Sequence, residues 1–282
     1  MTLLSILLWV VGIYLFIAIL IFYALVNNIF FFRSSAYDIE IEGGEVESLY
    51  LEDPRIRYHL VTHQGQTPTK WVILLHSWGR NSARMMTRGR IYFQQGYSLL
   101  LVDAPGHGQS QWVPVIMGTD YAKYTKQICD KHQITQPVVH GLSFGSIAAV
   151  LFANQVEVRA VVAEALISNF EEMYEGFFRS LHLPKPLYGW IPWLILQFGF
   201  EWDELAPVNL LPKSDYPLFL IHGAEDTMFY PEKHYEQNLV AMGDRDKLFT
   251  WIVPGSPHSR MARYDGYTDK LNEFIEYIDQ LQ

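Results

Sequence analysis

The chain has 282 residues, of which 50% are hydrophobic and 18% are charged, and its formal net charge is −9. This composition can fill a large core, which excludes wholesale disorder, and the acidic balance disfavours nucleic acid, whose phosphates are neutralised by clustered cations. The single cysteine, Cys129, excludes an intramolecular disulfide and a cysteine-based zinc site.

The N-terminal segment is apolar on every side. No charged side chain occurs in residues 1–32, and the run Leu3–Val26 is almost entirely aliphatic or aromatic. About 20 helical residues cross a hydrocarbon core of roughly 30 Å, since a helix rises about 1.5 Å per residue. We therefore predict a single-pass membrane anchor in residues 1–32, crossing through residues 3–26, followed by a folded domain in residues 33–282.

A cleaved signal peptide is the alternative for this segment, with Ser34 and Ala36 as small residues at a cleavage site. We favour the uncleaved anchor because no Lys or Arg precedes the apolar run, which exceeds the usual length of about 7–15 residues. Arg33 is the only basic residue close to the C-terminal end of the run. Because Lys and Arg next to a membrane helix are enriched on the cytoplasmic side, this single residue favours a folded domain on the cytoplasmic side of the membrane.

The rest of the chain alternates between strand and helix patterns. Polar and apolar residues alternate in residues 34–70, which indicates edge strands with one wet face. Short apolar runs follow at Trp71–Leu75, Ser98–Val102, Pro137–His140, Val158–Ala163, Pro217–Ile221 and Phe249–Val253. Helical spacing between most of these runs predicts an α/β fold with a mostly parallel central sheet and helices on both faces. Residues 171–213, rich in Phe and Trp, interrupt the pattern and are predicted to form a short helical lid.

One motif lies at the end of a predicted strand. Gly141-Leu142-Ser143-Phe144-Gly145 follows the strand that ends at His140 and precedes a helical segment. The pattern G-x-S-x-G in this setting indicates a nucleophile elbow, a strained turn that raises the serine hydroxyl above the sheet edge. Glycine is needed at both ends because a side chain there would clash with neighbouring backbone. A glycine-rich helix start without a chemical role is the alternative.

A serine hydroxyl is a weak nucleophile unless a base takes its proton. His258 follows the last predicted strand and Asp226 follows the strand before it, so the chain order is Ser143, Asp226, His258. This is the order expected for such an elbow. Glu225 is a rival acid that lies one residue early, and His234 is a rival base that lies within a predicted helix.

An oxyanion hole would complete the candidate site. One donor is expected to be the backbone N–H of Phe144, directly after the serine. The second is expected to be the backbone N–H of Trp78, in the loop that follows Trp71–Leu75. Because both donors are backbone groups, a side-chain substitution at Trp78 would test this hypothesis poorly.

These segments resemble the α/β-hydrolase superfamily, and within it the Bem46-like and serine-aminopeptidase-like group with short lids. The resemblance covers residues 55–282 and leaves the membrane anchor outside it. The matching segments are His76–Gly79, residues 103–110, residues 141–145, Pro217–Pro231 and Gly255–His258. One departure is Ser77, at a position where the family often has glycine. Because serine is small, we expect it to be tolerated.

The resemblance implies an α/β-hydrolase fold and a Ser-His-Asp serine hydrolase, similar to carboxylesterases and lipases, that acts through an acyl-enzyme. Such an enzyme needs no metal and no organic cofactor. The aromatic lid and the anchor together favour apolar or lipid-like ester substrates. A thioesterase, a small-substrate peptidase of the same fold, or a catalytically inactive membrane-bound binding module are the alternatives.

Overall fold

The structure, a computed structural model, describes residues 2–27, 37–113, 117–180, 182, 184–197 and 201–281. These residues form a long N-terminal helix, an eight-stranded sheet covered by helices, and short helices inserted between two strands. Arg33, Ser34 and Ala36, on which the sidedness and cleavage hypotheses depend, lie outside the described residues.

The N-terminal helix α1 spans Leu3–Asn27 and matches the predicted apolar run. Its segment Leu3–Tyr23 is long and apolar enough to cross a membrane. Only 11% of the 18 residues in its most apolar stretch are buried. This low burial argues against a core helix, whose apolar side chains would be covered. A signal sequence near an N-terminus can also meet these criteria of length and composition.

The sheet is mostly parallel. Its strands are β1 (Gly44–Leu51), β2 (Ile56–His63), β3 (Trp71–Leu75), β4 (Ser98–Val102), β5 (Val138–Leu142), β6 (Ala160–Glu164), β7 (Leu218–Gly223) and β8 (Leu248–Val253). They lie in the order β1-β2-β4-β3-β5-β6-β7-β8, in which β2 is antiparallel to β1 and β4, and all other neighbours are parallel. The predicted α/β architecture is therefore confirmed, and the carboxyl ends of β5, β6, β7 and β8 share one edge.

Helices cover both faces of this sheet. One face packs against α3 (Gly118–His132), α4 (Phe144–Ala153) and α10 (Tyr235–Met242). The other face packs against α2 (Met86–Gln94) and α11 (Tyr267–Gln280). Each parallel strand alternates its side chains between the two cores, which explains why these strands are apolar throughout rather than at every second residue.

The interrupting segment is an insertion between β6 and β7. It consists of α5 (Phe170–Ser180), α6 (Lys185–Tyr188), α7 (Trp190–Leu196), α8 (Trp202–Leu205) and α9 (Pro207–Leu210). These short helices coincide with the lid predicted for residues 171–213.

The segment before β3 differs from the prediction of edge strands. Tyr37, Ile39 and Ile41 alternate with polar residues but form no strand, although Ile39 is buried in the core. Of the two strands in this segment, β1 lies at an edge of the sheet and β2 does not, because β2 pairs with β4 on its other side. The alternation of polar and apolar residues indicates which side chains face solvent, but it does not indicate which strands are neighbours in the sheet.

A buried ion pair connects β6 to α2. The Glu164 carboxylate accepts hydrogen bonds from the Arg88 guanidinium, from His140 Nε2 at 2.7 Å and from the Tyr267 hydroxyl. All four side chains are buried. Burial alone would raise the pKa of Glu164, but the Arg88 charge and these hydrogen bonds outweigh it and hold the pKa well below its usual range. Glu164 is therefore an anion that depends on Arg88.

We expect Glu164→Gln to lower the free energy of unfolding by about 3–5 kcal/mol, because Arg88 becomes a buried charge without a counter-charge. In a domain of this size, Tm should fall by roughly 10 °C in thermal unfolding of the detergent-solubilised chain. The folded-state pKa of Glu164 is depressed. Its ionised carboxylate therefore contributes fully to the free energy of unfolding above the unfolded-state pKa of about 4.3, and this contribution is lost as the pH falls below that value.

The matched control is Glu276→Gln, since Glu276 is an exposed glutamate on α11. Its free energy of unfolding should change by less than about 0.5 kcal/mol. Equal Tm values for the two variants would contradict a stabilising role of the Arg88–Glu164 pair.

Candidate active site

Ser143 lies at the sharp turn between β5 and α4. Its φ of 54° and ψ of −113° are rare for a residue with a side chain. A Cβ at Gly141 would lie 2.2 Å from the Gly145 carbonyl oxygen, and a Cβ at Gly145 would lie 2.1 Å from the Leu75 carbonyl oxygen. Backbone contacts therefore require the two predicted glycines. The Ser143 N–H donates to the Glu164 carbonyl oxygen at 2.7 Å, which holds the turn against β6.

Ser143, His258 and Asp226 form a hydrogen-bonded series. Ser143 Oγ lies 3.0 Å from His258 Nε2, and His258 Nδ1 lies 2.6 Å from Asp226 Oδ2. Ser143 is 6% exposed and Asp226 is 1% exposed, whereas the His258 side chain is 19% exposed. The fold thus brings together three residues that follow or end β5, β7 and β8.

The Asp226 carboxylate is held from several sides. Its Oδ1 accepts hydrogen bonds from the backbone N–H groups of Met228 at 3.0 Å and Phe229 at 2.8 Å. His222 Nε2 lies 3.4 Å from Oδ2 and also donates to the Phe229 carbonyl oxygen at 2.8 Å. Sequence reasoning gave His222 no role; its place at the end of β7, four residues before Asp226, was the available signal.

These contacts determine the ionisation of Asp226. Burial alone would raise its pKa, but hydrogen bonds from His222 and His258 outweigh burial and lower the pKa below its usual range. An anionic Asp226 accepts the Nδ1–H of His258, which leaves the lone pair of Nε2 directed at the Ser143 hydroxyl. This is the tautomer that a general base requires.

The two rival residues lie elsewhere. Glu225 is exposed to solvent, in contrast to its buried neighbour Asp226. His234 is buried, and its Nδ1 accepts the backbone N–H of Ser168 at 3.1 Å at the start of the lid. Burial lowers the pKa of His234 to about 3, so it is a neutral structural side chain.

The loop after β3 is oriented by His76, to which the sequence analysis gave no role. Its Nε2 accepts the backbone N–H of Ala104 at 3.0 Å, so the proton lies on Nδ1, which donates to the Ser77 carbonyl oxygen at 2.8 Å. His76 is fully buried, and burial lowers its pKa, which keeps this neutral tautomer. In a planar trans peptide, the Ser77 C=O and the Trp78 N–H point in opposite directions. The His76 ring therefore aims the Trp78 N–H away from itself.

The two residues expected to supply oxyanion donors, Trp78 and Phe144, lie near Ser143. Phe144 is the first residue of α4, so its N–H has no acceptor within the helix. The Trp78 and Phe144 rings are in edge-to-face contact at 4.9 Å, and both residues line the same pocket as Ser143. Gly79, with a φ of +67°, takes the left-handed conformation of this loop, which explains how Ser77 is tolerated.

An apolar pocket adjoins the Ser143 hydroxyl. Its wall includes Ile147 and Leu151 of α4, Phe170, Met173, Tyr174 and Phe177 of α5, and Trp202 and Leu205 of α8. The lid therefore supplies much of the pocket. Within the described ranges, no cluster of His, Cys, Asp and Glu has the arrangement of a metal site.

Comparisons with known proteins agree on the fold. A sequence model of the alpha/beta hydrolase family matches residues 72–271. An esterase from Pyrococcus furiosus has a similar structure, with a TM-score of 0.67 at 19% identity, over 90% of this chain and 97% of that chain. A membrane phospholipase A, described as a bacterial virulence factor, is similar with a TM-score of 0.61 at 15% identity, over 99% of this chain and 97% of that chain.

A relative is also found by sequence. The chain is 23% identical over 204 residues to the uncharacterized protein YqkD of Bacillus subtilis strain 168, which covers 68% of this chain. The aligned region spans 61% of the length of that relative.

We expect His76→Gln and His76→Asn to affect activity differently. The amide nitrogen of Asn can replace Nδ1 and donate to Ser77, whereas the longer Gln amide replaces only the Nε2 acceptor of Ala104. Loss of one oxyanion donor costs about 10²–10³-fold in kcat, so His76→Gln should approach this loss and His76→Asn should stay within about tenfold of the native chain.

The measurement is kcat and KM on a water-soluble activated ester, with circular dichroism of both variants to verify folding. An equal fall in kcat for the two folded variants, or an effect on KM alone, would show that His76 does not orient an oxyanion donor.

Proposed function

The chain belongs to the alpha/beta hydrolase family, and on that premise we propose that it is a membrane-anchored serine hydrolase of apolar or lipid-like esters. The proposal assigns residues 1–32 to the anchor and residues 33–282 to the hydrolase domain. One observation carries it: the hydrogen-bonded series Ser143–His258–Asp226 opens onto an apolar pocket.

The reaction follows from the positions of these groups. Ser143 Oγ attacks the ester carbonyl carbon while His258 Nε2 accepts the hydroxyl proton, and anionic Asp226 stabilises the resulting imidazolium. The N–H groups of Phe144 and Trp78 donate to the oxyanion that develops on the carbonyl oxygen. His258 then protonates the departing alcohol, and a water molecule activated by the same imidazole hydrolyses the acyl-enzyme.

The pocket supports an apolar acyl group. None of its lining residues is charged, and most are aromatic or aliphatic. An apolar acyl group that binds there is removed from water, which is favourable by about 25 cal/mol per Å² of apolar surface buried. The wall offers no counter-charge to an ionised substrate. The names of two structural neighbours, an esterase and a phospholipase A, agree with ester hydrolysis.

The anchor supports a lipid-like substrate. The helix α1 exposes large apolar side chains along its length. The structural match between this chain and a membrane phospholipase A covers 99% of this chain. An uncleaved anchor predicts that the full-length chain stays with membranes in alkaline carbonate and keeps the intact mass of 32.7 kDa. A cleaved signal peptide predicts a lighter chain in the soluble fraction.

The first activity test is covalent capture by a fluorophosphonate, which reacts with an activated serine. We expect labelling of the native chain, labelling of Ser180→Ala, and none of Ser143→Ala, because Ser180 is an exposed lid serine. Labelling that persists in Ser143→Ala would refute the proposed nucleophile. A folded native chain that is never labelled would favour the binding-module alternative.

The second test concerns the acid. We expect Asp226→Asn to lower kcat by about 10³–10⁴-fold, because an amide cannot hold the required tautomer of His258 or stabilise its imidazolium. Glu225→Gln is the matched control, one residue away and exposed, and should leave kcat at the native value. If the two variants lose activity equally, Asp226 does not have the proposed role.

A further inference from the structure

The helix α1 contacts the lid through Tyr14. The Tyr14 hydroxyl donates to the Leu187 carbonyl oxygen at 2.7 Å. Trp190 Nε1 donates to the Tyr14 hydroxyl at 3.0 Å and to the same carbonyl oxygen at 3.1 Å. The Tyr14 ring also stacks on Tyr188, with centroids 5.4 Å apart. The polar atoms of the Tyr14 and Trp190 side chains and the Leu187 carbonyl oxygen are therefore hydrogen-bonded to one another.

The position of Tyr14 along α1 sets the height of this contact. The apolar stretch is Leu3–Tyr23, and Tyr14 lies nine residues before its end. At 1.5 Å per residue this is about 14 Å, close to the middle of a hydrocarbon core of roughly 30 Å. Farther along the helix, Ala18 and Ile21 are also buried against the chain. If α1 spans the bilayer, the lid residues beside Tyr14 lie below the membrane surface.

The outward side of the lid is suited to that position. Residues 187–196 carry no charged side chain. Leu187, Trp190 and Trp193 are 51%, 42% and 62% exposed, whereas Ile191 and Ile195 of α7 are buried. We call these three exposed residues the outer lid surface. Two of these residues lie on α7, which packs on α1, and α1 exposes large apolar side chains of its own. Water would solvate both sets of side chains poorly.

Hydrogen bonding points to the same environment. In hydrocarbon, a polar group without a partner costs several kcal/mol, so buried donors and acceptors must pair within the protein. The Tyr14–Leu187–Trp190 contact is paired in this way. The charged pair Lys185–Glu175, at 2.9 Å, borders the surface and is exposed. Because exposed charges are costly in hydrocarbon, this pair limits the depth of insertion.

We propose that the outer lid surface is immersed in the acyl chains of the bilayer, beside α1. This inference rests on the proposed membrane anchor and extends it, because the lid becomes a second membrane-inserted element. α7 packs on α5, and α5 supplies four of the residues that line the pocket at Ser143. An apolar ester dissolved in the bilayer therefore meets the lid that roofs this pocket before it enters water.

The test measures the depth of a fluorophore attached to the lid. The full-length Trp193→Cys chain is labelled with a nitrobenzoxadiazole maleimide and reconstituted in phosphatidylcholine–phosphatidylglycerol vesicles, with or without doxyl-labelled acyl chains. Trp9→Cys reports on α1, and Val240→Cys reports on an exposed apolar residue outside the lid. The native Cys129 is buried, which raises the pKa of its thiol to about 12, so the native chain gives the labelling background.

We expect the label at position 193 to lose most of its fluorescence to doxyl lipids and little to aqueous iodide, as at position 9. The label at position 240 should respond to iodide alone. Circular dichroism verifies the fold of each variant independently of its activity. Leu187→Cys is the second lid position if Trp193→Cys does not fold.

Three results overturn the inference in different ways. If position 9 is not quenched by doxyl lipids, the membrane anchor itself fails, and the lid proposal fails with it. If position 9 is quenched but position 193 responds to iodide, the anchor stands and the lid lies in water. If position 193 is shielded from both quenchers and the Trp193→Cys chains cross-link as dimers, a second copy of the chain covers the surface.

Discussion

The position of the Ser143 hydroxyl depends on a backbone turn that only glycine neighbours allow. β5 and α4 meet so closely that a Cβ at Gly141 or Gly145 would overlap backbone atoms of the elbow or of β3. In this turn Ser143 takes a positive φ directly before the helix α4. Its hydroxyl lies within hydrogen-bonding distance of His258. The strain is offset by the hydrogen bond to β6 and by the packing of both elements in the core.

Two buried carboxylates serve this arrangement differently. Glu164 lies at the end of β6, where Arg88 balances its charge and its own carbonyl oxygen holds the elbow. Asp226 follows the adjacent strand, where His222 and His258 lie beside its carboxylate. Both are anions because the contacts with neighbouring side chains outweigh desolvation. Glu164 is paired with a cation within the core, whereas Asp226 is paired with His258 at the proposed active site.

The lid connects this edge to the N-terminal helix. Its α5 and α8 helices line the pocket, and α7 packs between α5 and α1. Tyr14 of α1 contacts the lid directly, through the Leu187 carbonyl oxygen. The proposed anchor therefore packs on the same group of helices that lines the pocket.

Local patterns in the sequence determined the apolar helix, the parallel strands and the order Ser143, Asp226, His258, because periodicity and turn sterics act between near neighbours. They did not determine that β2 lies inside the sheet, since alternation is the same for a strand paired on one side or on two. Only the tertiary structure placed His222 beside Asp226, aimed the Trp78 N–H through His76, and set Tyr14 against Leu187, which is 173 residues away. Such contacts depend on how whole elements pack, and no short stretch of sequence encodes that.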